Sequence, residues 1–263
     1  MINKPMVGVA ALVIVVAAGG WYYLHGRKTA LPRVPLTAQP APPPPVGEPA
    51  IAHPLPVAPG GSASTPLPAL GDSDAAMSDA LTEVAGAAAV KDYLLPENII
   101  RHLVVTIDNL TRQKAPVDKR PTSAIAGSFM VNGDELHATL DPQNFKRYQP
   151  LVEVIQKLDA QKLAAVYIHF YPLFQSSYQD LGYPNGYFND RLVQVIDLLL
   201  AAPQPAAPAL VRPNVMYKFA DPALEALPAG QKLLIRMGPE NAAAIKAKLK
   251  ELRAIITAAP PKR

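Results

Sequence analysis

The sequence predicts a mainly α-helical domain of seven or eight helices with one small β-hairpin, preceded by a transmembrane helix and a disordered proline-rich tether. Three observations predict it. Apolar residues recur at three- and four-residue spacing through most of the second half of the chain, the period of a helix with one buried face. Of the 17 aromatic residues, 14 lie between Tyr93 and Phe219, which places the core there. Of the 30 prolines, 13 crowd into Leu31–Pro68, where no packed core can form.

Residues 1–28 are a short tail and an anchor. Met6–Leu24 is a run of 19 residues without a charge. As a helix it is roughly 28 Å long, enough to cross a ~30 Å hydrocarbon core. Lys4 precedes it, His25, Arg27 and Lys28 follow it, and Trp21, Tyr22 and Tyr23 sit where an aromatic belt belongs. A cleavable signal peptide also starts with a basic residue and an apolar run. Here the run continues past Ala17, Ala18 and Gly19 into aromatics, which favours an uncleaved anchor. Charge counting alone keeps the carboxyl side in the cytoplasm. Long following domains translocate largely regardless of charge, however, and the expected orientation is periplasmic.

Residues 29–76 are the linker. Between Leu31 and Pro68 only Arg33 and Glu48 are charged, and Pro42–Pro45 run in a row. Such a stretch alternates between polyproline II and coil and serves as a spacer.

The domain is expected over residues 77–259, with a tail at 260–263. Met77–Val90 reads as an alanine-rich helix with Ser78 as a candidate cap, and Glu97–Leu110 as a second helix with Pro96 in its first turn. Asn132-Gly133 marks a hairpin that pairs Phe129 and Val131 with Leu136 and its neighbours. Asp141-Pro142 makes a turn, and Pro150–Leu158 is a short helix. Asp159 caps the next helix, which Pro172 should bend or end within a turn. Tyr187–Leu200 is the clearest amphipathic helix. Asp221-Pro222 begins another. Lys232–Met237 continues helical, and Gly238-Pro239-Glu240 restarts a last helix that runs to about Thr257.

Five strings then resemble one family. LPENIIRHLVVTIDNL (Leu95–Leu110), DPQNFKRYQPLVEVI (Asp141–Ile155), YPLFQSSYQDLGYP (Tyr171–Pro184), LGYPNGYFNDRLVQVIDLLLAAP (Leu181–Pro203) and FADPALEALPAGQKLLIRMGPENAAAIKAKLKELR (Phe219–Arg253) are similar to the bacterial domain-of-unknown-function 3014 family. The resemblance covers nearly all of residues 90–257. It implies a Gram-negative envelope protein with this anchor-and-tether layout, and it carries no reaction, cofactor or catalytic residue.

The residues themselves exclude several chemistries. A net charge of +4 is too mild for a nucleic-acid binder, and the absence of cysteine removes thiolate catalysis, thiolate metal sites and disulfides. No two of the five histidines have metal-ligand spacing, and His169 on an aromatic helix reads as packing or surface. Phosphate-cradling glycine motifs and the GxSxG elbow are missing, so no metal and no cofactor is expected.

The most unusual cluster is Tyr183-Pro184-Asn185-Gly186-Tyr187-Phe188-Asn189-Asp190-Arg191. One reading is a recognition pocket in which Tyr183, Tyr187, Asn189, Asp190 and Arg191 are binding residues. The other is a capped helix start, in which Asn189 or Asp190 satisfies backbone amides and Arg191 pairs with a nearby acid. Arg236 and Glu240 pose the same choice between binding and an internal ion pair at a helix junction. On the last helix, Lys246, Lys250 and Arg253 flank an apolar stripe and are candidates for contact with anionic lipid or an acidic polymer.

The expected function is that of a single-pass inner-membrane protein of the cell envelope, anchored through Met6–Leu24, with a non-enzymatic binding or scaffolding domain in the periplasm. Its expected partner is another envelope protein or a wall polymer, with no nucleic acid; the sequence does not determine the oligomeric state. Asp180, Asp190 and Glu240 all sit near turns, and the rival is a cell-wall-active hydrolase that uses Asp190 and Glu240 or nearby acids as paired carboxylates.

Overall fold

The computed structural model describes residues 50–56, 66–134 and 137–258. The expected anchor at Met6–Leu24 and the tail at 260–263 lie outside the described residues, and no helix among those described is long and apolar enough to cross a membrane. A 3-10 turn at Leu70–Asp72 leads into α1 (Asp74–Ala85), α2 (Ala87–Tyr93) and α3 (Ile99–Asn109). The hairpin β1 (Val131–Asn132) and β2 (Thr139–Leu140) follows. Then come α4 (Gln143–Lys157), α5 (Ala160–Asp180), α6 (Phe188–Leu200), a second hairpin of β3 (Leu210–Val211) and β4 (Lys218–Phe219), α7 (Pro222–Glu225), α8 (Ala229–Met237) and α9 (Pro239–Ile256).

The domain is mainly helical, as expected, with nine α-helices and two antiparallel hairpins among the described residues, where the sequence predicted seven or eight and one. α9 is the central helix and packs on α4, α5, α6 and α8, while α3 packs on α5 and α6. The stripe Ile245, Leu249, Leu252 and Ile256 explains why: all four side chains are buried. Ile99, Val104, Ile155, Phe188, Val195 and Leu249 form the driest part of the core. A smaller core of Ala138, Leu140, Leu210, Phe219 and Ile235 lies beneath the hairpins, which meet through a bridge between Thr139 and Ala209.

Several expectations are corrected, each for a local reason. The helix expected over Met77–Val90 is two helices that part at Gly86, and it begins earlier, at Asp74. Ser78 is therefore inside α1, where its carbonyl accepts from the Thr82 hydroxyl, and is not a cap. Pro96 precedes α3 and does not enter its first turn. The first hairpin pairs Val131 with Leu140 and Asn132 with Thr139, a wider loop than the Asn-Gly signal suggested.

Two prolines lie inside helices. α4 starts at Gln143, whose N–H is taken by Asp141 Oδ1 at 2.7 Å, and runs through Pro150. α5 runs through Pro172 for eight further residues. An interior proline costs ~3 kcal/mol or more, but Phe170, Phe174 and Tyr178 are buried on the same helix, each contributing roughly 1.5–3 kcal/mol. Packing outweighs the break. The caps at Asp159 and Asp221 are as expected: Asp159 accepts from the N–H groups of Gln161 and Lys162, Asp221 from that of Ala223.

Gly238, between α8 and α9, has φ +89°, and a Cβ there would stand 2.4 Å from the Phe145 ring. That contact brings α4 against the α8–α9 junction. Phe188 is the hub of the aromatic core: it stacks on Phe174 with ring centroids 5.7 Å apart and also meets Tyr167 and Tyr178. Phe188→Ala should therefore destabilise the domain by about 3–5 kcal/mol in denaturant unfolding. Phe129→Ala, at an exposed position just before β1, should cost far less, and equal losses would contradict this placement of the core.

Candidate functional site

The chain turns sharply between α5 and α6. Gly186 permits the turn, because a Cβ there would stand 2.8 Å from the Tyr178 ring. Gln175 on α5 holds it: Nε2 donates to the Gly186 carbonyl at 2.7 Å, and Oε1 accepts from the Phe188 N–H at 2.8 Å and from the Tyr171 hydroxyl at 2.9 Å. The Tyr171 hydroxyl in turn accepts from the Asn189 N–H at 3.4 Å. The first amides of α6 are thus satisfied from α5. The capping role expected of Asn189 or Asp190 is already filled, and the helix's own N-cap position, Tyr187, makes no side-chain cap bond.

Asp108, near the carboxyl end of α3, is the buried anion of this corner, its side chain 1% exposed. Oδ1 accepts from Arg191 Nε at 2.9 Å; Oδ2 accepts from Arg112 Nη2 at 2.9 Å and from the Tyr183 hydroxyl at 3.3 Å. Arg191 Nη2 also donates to the Asp108 carbonyl at 2.7 Å and to Thr111 Oγ1 at 2.6 Å. One guanidinium therefore neutralises a carboxylate and takes up a carbonyl that the end of α3 leaves without a helical partner. The hydrogen bond to Asp108 raises the pKa of Arg112 above its ordinary value.

Asn189 is fully buried beside them. Burial holds the Tyr167 phenol well above its ordinary range, so it stays protonated and donates to Asn189 Oδ1 at 3.1 Å. Asn189 Nδ2 then donates to the Ile256 carbonyl at 3.2 Å and to the His53 carbonyl at 2.8 Å.

His53 belongs to Ala50–Pro56, a piece of the stretch read as a spacer, and this piece lies against the corner. The Asp190 carboxylate accepts from the N–H groups of Ala52 at 3.0 Å and His53 at 2.6 Å, and the Tyr187 hydroxyl accepts from the Leu55 N–H at 3.4 Å. Beside Ala50 a cleft of about 440 Å³ opens, lined by Asp108, Tyr178, Tyr183, Tyr187, Asp190 and Arg191 among others. The structure thus brings Tyr183, Tyr187, Asp190 and Arg191 to one cleft, with Asn189 packed behind.

The other candidates lie elsewhere. Arg236 stands over the Phe219 ring, 4.6 Å from its centroid, and burial lowers its pKa. Glu240 is exposed in the first turn of α9, where a carboxylate complements the helix dipole. The half-buried ion pair of that region is Lys232 with Glu225, at 3.4 Å. Lys246 donates to the Ala202 carbonyl at 2.6 Å, beyond the carboxyl end of α6, and Arg253 pairs with both oxygens of Asp197 at 2.5 and 3.0 Å. Of the three cations considered for lipid contact, Lys250 alone is exposed. Among the described residues no group of three His, Asp or Glu side chains could hold a metal ion.

Sequence reasoning missed Asp108, Arg112, Gln175, Tyr167, Tyr171 and the docked segment. Asp108 carried a signal: it lies four residues after Val104 on the apolar stripe of α3, and a carboxylate there requires a partner. The docked segment carried none, because its prolines fit a spacer equally well.

The model of a family described as proteins of unknown function (DUF3014) matches residues 99–253. No curated protein and no solved structure matches the chain.

The two halves of the corner should respond differently to mutation. Arg191→Ala leaves Asp108 Oδ1 and the Asp108 carbonyl without the guanidinium, with Arg112 and Tyr183 still on Oδ2, and should cost about 1–3 kcal/mol in chemical denaturation. Asp190→Ala removes no cap and should stay within about 0.5 kcal/mol of the parent, while hydrogen exchange at the Ala52 and His53 amides accelerates. A large stability loss in Asp190→Ala with unchanged exchange would reverse these assignments.

Proposed function

The chain belongs to the DUF3014 family of proteins of unknown function, and we propose that its helical domain is a non-enzymatic binding or scaffolding module. In this reading Met6–Leu24 holds the protein in the inner membrane, the proline-rich stretch is its spacer, and the domain faces the periplasm. The α5–α6 corner is the recognition site for another envelope component.

The observation that supports this reading is the direction of the hydrogen bonds at Asp190. A first-turn carboxylate ordinarily serves its own helix. Here that work is done by Gln175 and Tyr171, and Asp190 instead takes two consecutive main-chain N–H groups from a segment more than 130 positions away. A helix start freed from capping itself, at the mouth of a cleft and rimmed by tyrosines, suits a binding role. Tyrosine supplies rigid contact area with a polar tip at low entropic cost.

The hydrolase reading asks for two available carboxyls across one cleft. Glu240 is not among the residues lining this cleft. The second carboxylate there, Asp108, is committed to two guanidinium groups and a phenol. The geometry favours recognition over hydrolysis.

A single Asn185→Cys change in this cysteine-free chain puts one thiol at an exposed position on the cleft. In intact cells a thiol reagent that crosses only the outer membrane should label it; labelling only after lysis would place the domain in the cytoplasm. A thiol-directed photocrosslinker on the same residue should trap a discrete adduct in native membranes. That adduct should disappear in the Asp190→Ala background and persist with Lys250→Ala. Crosslinking indifferent to Asp190 would remove the corner from the binding role.

A further inference from the structure

We infer that the α5–α6 corner is a site for a proline-punctuated peptide, and that residues 50–56 are its built-in occupant, which an outside peptide of the same kind must displace. The inference rests on the binding-module reading and names its ligand class and its regulation.

The occupant reads Ala50-Ile51-Ala52-His53-Pro54-Leu55-Pro56. Among the described residues, four hydrogen bonds hold it, and each engages its main chain: the N–H groups of Ala52 and His53 on Asp190, the N–H of Leu55 on Tyr187, and the carbonyl of His53 on Asn189. What the corner reads is therefore the placement of backbone donors and one acceptor. Other sequences satisfy it provided that no proline stands where an N–H is required. In the occupant the prolines fall at positions 54 and 56, between and after the donors.

Those prolines also prepare the segment for binding. His53 and Leu55 each precede a proline, and a residue before proline is held out of helical conformations. Part of the ordering entropy is thus already lost in the free peptide, which is the advantage that proline-bearing ligands bring to aromatic-lined grooves. Tyr178, Tyr183 and Tyr187 line the cleft, and Tyr187 packs on Tyr171 behind it with centroids 5.5 Å apart. His53 and Leu55 are half-buried against the domain, while Ile51 is 53% exposed and Pro54 faces outward. Ala50 lines the cleft of about 440 Å³ together with Tyr183, Tyr187, Asp190 and Arg191.

Because residues 57–65 join the segment to the domain, it competes intramolecularly. A short linker gives an effective concentration on the order of 1 mM. Four hydrogen bonds of this kind make a weak contact, so the occupant hinders an outside peptide without excluding it.

The test uses the full chain in detergent and a fluorescein-labelled peptide of sequence AIAHPLP, read by fluorescence anisotropy. His53→Pro removes one of the N–H groups held by Asp190 and lies outside the helical core; deletion of 50–56 removes the occupant altogether. Both forms should bind the peptide about tenfold more tightly than the parent chain, the hindrance from an internal competitor at about 1 mM whose own Kd is on the order of 0.1 mM. Adding Asp190→Ala to the deletion should abolish that gain. Equal affinity for parent and deletion, with binding still dependent on Asp190, would overturn the built-in competitor and leave the recognition site standing. No binding to the deletion form would overturn the peptide site itself.

Discussion

The corner depends on one buried carboxylate. Asp108 lies within the domain at the end of α3, where a charge without partners would be prohibitive. Arg191 reaches it from α6, Arg112 from just beyond α3, and Tyr183 from the α5–α6 turn. The Arg191 fork also closes the last turn of α3 through the Asp108 carbonyl and Thr111. The start of α6 is thereby fixed against the end of α3, and the turn before it inherits that position. Every other feature of the site follows from where α6 begins.

Aromatic packing supplies the rigidity that the ion pair alone would lack. Phe188 sits at the first position of α6 and is stacked on Phe174; Tyr178 stacks on Tyr183 at 4.6 Å, and Tyr167 bridges Phe174 and Phe188. These rings come from α5, the turn and α6, so the apolar wall and the polar rim are built by the same residues. Gln175 then hands the α6 amides to α5. Asp190 is left free of its own helix, and its two oxygens take the Ala52 and His53 N–H groups instead.

Several cations of the last helix have partners inside the domain. Residues 232–263 carry a net +6, yet Lys246 and Lys248 are drawn onto the carbonyls of Ala202 and Leu158, and Arg253 onto Asp197. These cations close the open carbonyl ends of neighbouring segments or pair with α6. Lys246, Lys248 and Arg253 of α9 thus have partners within the domain, while Lys250 is exposed.

The sequence by itself determined whatever depends on neighbours along the chain. The period of apolar residues located the helices from Glu97 onward, Asp159 and Asp221 marked their own caps, and Gly238-Pro239 marked the α8–α9 junction, because those signals act within one turn of backbone. The crowding of tyrosine, asparagine and charge at residues 183–191 was legible as a special place for the same reason. Tertiary structure alone decided what the place does. Whether Pro150 and Pro172 break their helices turned on the aromatic and aliphatic side chains that packing buries around them. Whether Asp190 caps α6 turned on Gln175 and Tyr171, which reach its amides from another helix. That a proline-rich stretch near residue 50 lies on the corner rests on hydrogen bonds across more than 130 positions, a distance over which one sequence, read by local physics, holds no pairing signal.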